Sequence, residues 1–123
     1  MSPRATLPIV TLVALLLAAG CSIHGKSEKP TKQIMEEGFK GKESLSARTA
    51  QGQGTDADHL KMVEFTRQLA LNRPPKGGLA SWRSKTDALY TAAVNLSARK
   101  PGAVDEWKAA SDCKACHSVH KGE

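Results

Sequence analysis

The chain has 123 residues, a formal net charge of +6 and three cysteines. This length allows one small domain and excludes a large multidomain protein. The basic charge favours acidic partner proteins or anionic headgroups, whereas nucleic acid is not expected because no recognised nucleic-acid-binding motif is present. No nucleophile and base stand at a recognised spacing, so the residues do not indicate an enzyme.

The first 20 residues are typical of an export signal. One positive charge, Arg4, precedes an apolar run over residues 7–19 that is too short to span a bilayer as a helix. The run ends in Leu17-Ala18-Ala19-Gly20-Cys21, which resembles the lipobox of bacterial lipoproteins, with alanine in place of leucine three positions before the cysteine. We therefore predict that residues 1–20 are a lipoprotein-type signal peptide.

The lipobox resemblance implies that Cys21 is lipidated and becomes the first residue of the mature chain. Three cysteines in an exported protein leave one over after any pairing, and a lipid on Cys21 would account for it. The alternative is ordinary cleavage, which would leave a free thiol on a soluble periplasmic protein. Ser22 fits sorting to the outer membrane, so we expect a lipid anchor on the periplasmic side of a bacterial membrane, with the outer membrane favoured.

The remaining chain predicts one all-α domain. Residues 21–29 are polar and predict a tether, and residues 30–123 form the predicted domain. Apolar spacing and Gly or Pro breaks predict helices over residues 31–41, 43–51, 55–71, 79–99 and 103–119. The seam Trp82, Thr86, Leu89, Ala93 and Leu96 is typical of a bundle helix, and no stretch alternates like a strand. We therefore predict a four-helix bundle.

The most specific motif is Cys113-Lys114-Ala115-Cys116-His117, because Cys-x-x-Cys-His is the signature of covalent c-type haem attachment. On a helix, Cys113, Cys116 and His117 lie at i, i+3 and i+4, so two thiols and an imidazole project from one face. The thiols would add to the two vinyl groups of a haem, and the imidazole would be the proximal iron ligand. The bundle is therefore predicted to hold one covalently attached haem c.

Three other uses of the motif remain open. A thioredoxin-like redox pair would need a preceding strand, where the spacing predicts a helix. Zinc could be bound by Cys113, Cys116, His117 and His120, although four ligands within eight residues of one helix are unlike the usual spaced pairs. A structural disulfide between the two cysteines is tightly constrained within a helix. Haem attachment is the use that the spacing favours.

An exported helical domain that ends in this motif resembles the cytochrome c′ family over roughly residues 31–121. The resemblance implies that the motif supplies both thioether links and the proximal ligand. Family members commonly carry an aromatic residue and an arginine at the third and fourth positions after the histidine, where this chain has His120 and Lys121. Lys121 could still pair with a haem propionate. We expect His120 to be a hydrogen-bonded surface histidine, and a homodimer is possible because many members dimerise.

The same resemblance implies that a residue of the first helix faces the side of the iron opposite the proximal histidine. Met35 stands at this place, and Gly38 one turn later would let the porphyrin approach the backbone. Met35 could instead be a core residue, as most buried methionines are. His59 and Met62 on a later helix are rival ligands.

The identity of this sixth ligand separates two functions. Methionine ligation opposite histidine gives a six-coordinate electron carrier that cycles between ferric and ferrous iron and docks with redox partner proteins, and this is the function we expect. A non-ligating residue would leave a five-coordinate haem that binds or senses small gases such as nitric oxide or carbon monoxide. A haem-free zinc or disulfide module is a further alternative.

Overall fold

The structure is a computed structural model that describes residues 27–122. Within this part the chain is helical and contains no strand, which confirms the all-α prediction. None of the helices over residues 27–122 has the length and apolar character needed to cross a membrane. The predicted signal peptide, Cys21 and the first residues of the predicted tether lie outside the described residues.

Six helices follow one another in the described part. Helix α1, Thr31–Ile34, passes directly into a π-helical turn, Met35–Phe39. The remaining helices are α2, Leu45–Ala50; α3, Asp56–Leu71; α4, Leu79–Ser97; α5, Ala103–Ala110; and α6, Cys113–His120. The predicted helices therefore exist, with one correction at the end of the chain.

The last predicted helix, over residues 103–119, is wrong as a continuous element because it breaks at Ser111 and Asp112. The Asp112 carboxylate accepts a hydrogen bond from the Ala115 amide at 3.0 Å, which caps a new helix. The Ser111 hydroxyl donates to the Trp107 carbonyl at 2.7 Å and satisfies the end of α5. Short polar side chains that compete for backbone groups thus separate α5 from α6.

Helices α3 and α4 form the most extensive contact of the fold. Helix α3 begins at a capping box, in which the Thr55 hydroxyl accepts from the Asp58 amide and the Asp58 carboxylate accepts from the Thr55 amide. The core is made of side chains from α1, α3, α4 and α5, and all five residues of the predicted α4 seam are buried: Trp82, Thr86, Leu89, Ala93 and Leu96. The predicted apolar faces therefore meet in one core.

Trp82 and Trp107 connect this core to the chain around it. The Trp82 indole nitrogen donates to the carbonyls of Leu69 and Asn72, at 3.2 and 2.8 Å, so it satisfies the end of α3. Trp107 on α5 is fully buried and stacks on Phe39, with ring centroids 6.1 Å apart. The π-helical turn is thereby fixed against α5.

The segment before α1 is packed onto α3. The Gln68 side-chain oxygen accepts hydrogen bonds from the Ser27 hydroxyl and the Glu28 amide, both at 3.1 Å. The Asn72 side-chain amide donates to the Lys29 carbonyl at 3.0 Å. The last three residues of the predicted tether therefore belong to the packed domain.

Candidate functional site

Residues of α1, its π-helical turn, α3, α4, α5 and α6 line an apolar cleft of about 420 Å³. This volume lies within the range of roughly 300–1,000 Å³ that small-molecule and cofactor sites usually have. The walls are mainly large apolar side chains, to which α1 and its turn, α3 and α4 contribute Met35, Phe39, Leu69, Trp82 and Leu89. We call this space the main cleft.

The three residues of the predicted attachment motif all line the main cleft. Helix α6 places Cys113, Cys116 and His117 within its first five residues, as the i, i+3 and i+4 spacing requires. Cys113 and His117 are exposed and Cys116 is half-buried, and both cysteines are free thiols. Two thiols and an imidazole thus stand at the mouth of one apolar space.

Burial affects the Cys116 thiol. It raises the pKa of this group above the usual value, and Cys113 adds to this rise while the positive charge of Lys85 opposes it. A thioredoxin-like pair would follow a strand, whereas helix α5 precedes the motif here.

Met35 reaches the main cleft from the opposite end of the sequence. It is half-buried, begins the π-helical turn and lines the cleft together with Phe39. Single π-helical turns are frequent at functional sites, where they re-aim a side chain. The structure therefore brings Met35 into the same cavity as the attachment motif, across almost the full length of the described chain.

The two rival candidates for the sixth iron ligand, Met62 and His59, lie outside the main cleft. Met62 is fully buried in the core and does not line the main cleft. His59 lines a second, smaller cleft of about 320 Å³ beside Arg99 and Lys100. The Nδ1 atom of His59 is buried without a hydrogen-bond partner among residues 27–122. Of the candidate ligands His59, Met62 and Met35, the structure thus brings Met35 alone to the attachment motif.

The interpretation of Gly38 as a place of close porphyrin approach is wrong. Gly38 is buried, and a Cβ atom built on it would lie 2.7 Å from Cδ2 of Phe65. The missing side chain therefore makes room for a core aromatic of α3. The turn still presents Met35 and Phe39 to the main cleft.

His120 is buried, so the expectation of a surface histidine is wrong, whereas its hydrogen bonds are satisfied as expected. Its ring is 2% exposed and packs edge-on against Trp82, with centroids 5.4 Å apart. Nδ1 lies 2.8 Å from the Lys76 carbonyl oxygen, and Nε2 lies 3.0 Å from the Ser81 hydroxyl. Because a carbonyl can only accept, Nδ1 carries a hydrogen and donates it to Lys76, while Nε2 pairs with the Ser81 hydroxyl, which can donate or accept.

These bonds bear on the zinc alternative. A zinc ion bound by one ring nitrogen of His120 would have to replace the hydrogen bond that this nitrogen makes in a buried environment. Among residues 27–122, no group of three or more His, Cys, Asp or Glu side chains is arranged to hold a metal ion. No local pattern indicates the contact between His120 and Ser81, because the two residues are 39 positions apart.

Two lysines stand at the edge of the main cleft. Lys121, a predicted propionate partner, is exposed and follows α6, and Lys32 is exposed on α1. Both could place an ammonium group beside an acidic substituent of a cofactor held in the cleft. Lys32 was not singled out from the sequence, because nothing in its local pattern relates it to α6.

The chain was compared with protein-family models, with curated proteins and with solved structures, and none of these comparisons found a match. The functional interpretation therefore depends on the residues and their geometry.

Proposed function

We propose that this chain is a monohaem c-type cytochrome that transfers electrons on the periplasmic side of a bacterial membrane, and that its helices form a four-helix bundle of the cytochrome c′ type. One observation carries the proposal: the Cys-x-x-Cys-His residues and Met35 line the same apolar cleft. That combination is what covalent haem attachment with histidine and methionine ligation requires.

The donor set fits a haem. Cys113 and Cys116 offer two thiols for thioether links, His117 an imidazole for one side of the iron, and Met35 a thioether for the other. When bound, the haem supplies an iron that changes between the ferric and ferrous states. The chain holds this group through α6, surrounds it with apolar walls that exclude water, and offers Lys121 to a propionate.

The direct test is production of the full chain in a host that has c-type haem maturation enzymes. We expect red protein whose mass exceeds that of the processed chain by one haem. Replacing both Cys113 and Cys116 by Ala should give protein without covalently bound haem, whereas Ser118→Ala, at an exposed position of the same helix, should leave attachment unchanged. Colourless protein with the mass of the bare polypeptide would contradict the proposal.

A second candidate is a five-coordinate haem module that binds small gases. It is supported by Phe39, which lines the main cleft beside Met35 and has no atom that can ligate iron. Binding of carbon monoxide to the ferrous protein discriminates between the two. Slow or weak binding supports the electron carrier, because methionine must first leave the iron, and rapid, tight binding supports the gas-binding module.

The proposed location depends on a lipid at Cys21. Cells fed a labelled fatty acid should incorporate the label into the chain, and Cys21→Ser should abolish the labelling. Ser22→Ala is the matched control and should keep the label. A wild-type chain that takes up no label, or a Cys21→Ser chain labelled as strongly as the wild type, would contradict the anchor.

A further inference from the structure

We propose that His120 is a positioning residue that fixes the helix carrying the attachment motif. It forms what we call the α6 clasp, together with Lys76, Gly77, Ser81 and Trp82. The clasp attaches the end of α6 to the beginning of α4 and to the loop before it. Its importance for haem binding rests on the proposed function, but its existence does not.

Helix α6 needs such an attachment because it packs little against the other helices. The closely packed helix pairs in the described part include α3 with α4, α4 with α5, and α2 with α5, and α6 belongs to none of them. His120 is the one buried residue of α6. Among the motif residues, Cys113 and His117 are exposed, and only Cys116, which is half-buried, packs against the core, so apolar contacts of the motif hold the helix at one point.

The imidazole of His120 makes three different interactions with its surroundings. It donates to the Lys76 carbonyl, forms a hydrogen bond with the Ser81 hydroxyl through Nε2 and packs edge-on against Trp82. The two hydrogen bonds point in opposite directions from the ring, so they fix its orientation as well as its position. Because His120 follows Cys116 and His117 by four and three residues, it lies on their side of the helix. A fixed His120 therefore fixes which side of α6 meets the main cleft.

The loop before α4 is shaped to receive this end of α6. Gly77 has a φ of +81°, and a Cβ atom there would lie 2.8 Å from the Val119 carbonyl oxygen and 2.9 Å from Nδ1 of His120. Only glycine combines the left-handed backbone with such a close approach. Gly122, just beyond α6, lies close to Pro75, where a Cβ would be 3.1 Å from the proline side chain. The loop before α4 and the end of α6 are therefore in close contact both before and after His120 in the chain, at Val119 and at Gly122.

Hydrogen exchange of the full chain as isolated tests the clasp. His120→Phe keeps an aromatic ring against Trp82 and removes both hydrogen bonds. We expect the amides near the end of α6 to exchange about tenfold faster in this variant, while those in the middle of α3 and α4 keep their wild-type rates. Ser81→Ala removes one hydrogen bond and keeps the packing, so it should give a smaller acceleration in the same segment.

A glycine pair provides the matched control. Gly77→Ala should accelerate exchange of α6, because the added methyl group meets Val119 and His120. Gly52→Ala imposes the same kind of backbone strain, at a φ of +73°, but its Cβ would meet nothing within 4 Å. It should leave exchange of α6 unchanged. Equal rates in α6 for wild type, His120→Phe and Gly77→Ala would overturn the clasp, as would an unprotected α6 in the wild type.

A spectroscopic test separates positioning from mere stabilisation. In haem-bearing protein, His120→Phe should alter the ferric absorption and electron paramagnetic resonance spectra, because the imidazole of His117 is no longer held in one orientation. His120→Asn, whose amide nitrogen can replace Nδ1 as donor to Lys76, should restore much of the wild-type spectrum. Gly52→Ala should lower the melting temperature without changing the spectrum. An unchanged His120→Phe spectrum would overturn the positioning role.

The two proposals fail in different ways. Colourless protein contradicts the haem function, and its hydrogen exchange still shows whether the clasp exists. Red protein in which His120→Phe changes neither α6 exchange nor the spectrum overturns the clasp and leaves the haem function standing.

Discussion

Phe65 occupies the space that Gly38 leaves open, with its Cδ2 atom 2.7 Å from the position that a glycine Cβ would take. Phe65 is 2% exposed, so its ring has little room to move away. This contact joins α3 to the π-helical turn that presents Met35. The orientation of a candidate iron ligand therefore depends on the absence of a methyl group one turn away.

We expect Gly38→Ala to lower the free energy of unfolding by about 1–3 kcal/mol, the usual cost of overpacking a core, despite the higher helix propensity of alanine. Urea unfolding followed by tryptophan fluorescence measures this change. The double variant Gly38→Ala with Phe65→Leu should be less destabilised than the sum of the single variants, because leucine relieves the clash. Strict additivity would show that the contact is not the cause.

Met35→Ala tests the proposed iron ligand. In the ferric haem-bearing protein we expect loss of the sulfur-to-iron charge-transfer band and a change from low to high spin, because the alanine side chain has no atom that can ligate iron. Met62→Leu is the matched control, since Met62 is a fully buried core residue outside that cleft and leucine nearly conserves its volume. A ferric spectrum that is the same in wild type and Met35→Ala would remove Met35 as a ligand.

Asp58 should contribute to the acid sensitivity of the fold. The Thr55 amide and, to a smaller extent, the Arg48 guanidinium hold the pKa of this carboxyl below its ordinary value of 3.8. A lowered folded-state pKa stabilises the fold above the unfolded-state pKa, and this stability is lost as the pH falls through the folded-state pKa. We expect Asp58→Asn to reduce the loss of stability below about pH 4, because asparagine keeps an acceptor for Thr55 but does not titrate.

Urea midpoints measured between pH 2 and pH 7 would show this effect. Asp87→Asn, at an exposed position of α4, provides the comparison variant. If Asp58→Asn loses as much stability on acidification as the wild type does, Asp58 is not the group responsible.

Removal of the haem should weaken the whole domain. An apolar cleft of about 420 Å³ beside the core would then face water, and the apolar surface that the proposed haem would bury there on folding would no longer contribute to stability. We expect the protein with both attachment cysteines replaced by Ala to melt at a lower temperature and over a broader range than the red wild type. Near-ultraviolet circular dichroism measures the transition. Equally sharp transitions at the same temperature would show that the helices pack fully without the haem.

Much of this architecture follows from local patterns in the sequence. The apolar seam of α4 depends on residues within a few turns of one another, and it was predicted. The placement of Cys113, Cys116 and His117 on one side of a helix follows from their spacing alone.

The structure differs from the expectations drawn from the sequence where contacts between distant residues, or competing local hydrogen bonds, determine the conformation. The break before α6 results from Asp112 and Ser111, whose side chains satisfy backbone groups that a longer helix would have used. The burial of His120 depends on Ser81 and Lys76, far away in the chain, and the role of Gly38 depends on Phe65 in another helix. The spacing of apolar residues within one segment does not indicate contacts with residues far away in the chain.

The packing of Ser27 and Glu28 onto Gln68 sets a limit on how the domain can sit at a membrane. If Cys21 carries the proposed lipid, only about six residue steps separate the bilayer from a fixed point on α3, which a fully extended chain covers in roughly 20 Å. The domain would then stay within about its own radius of the bilayer surface. An electron-transfer partner would then have to bind a face of the domain that points away from the bilayer or along it, within a thin layer next to the membrane.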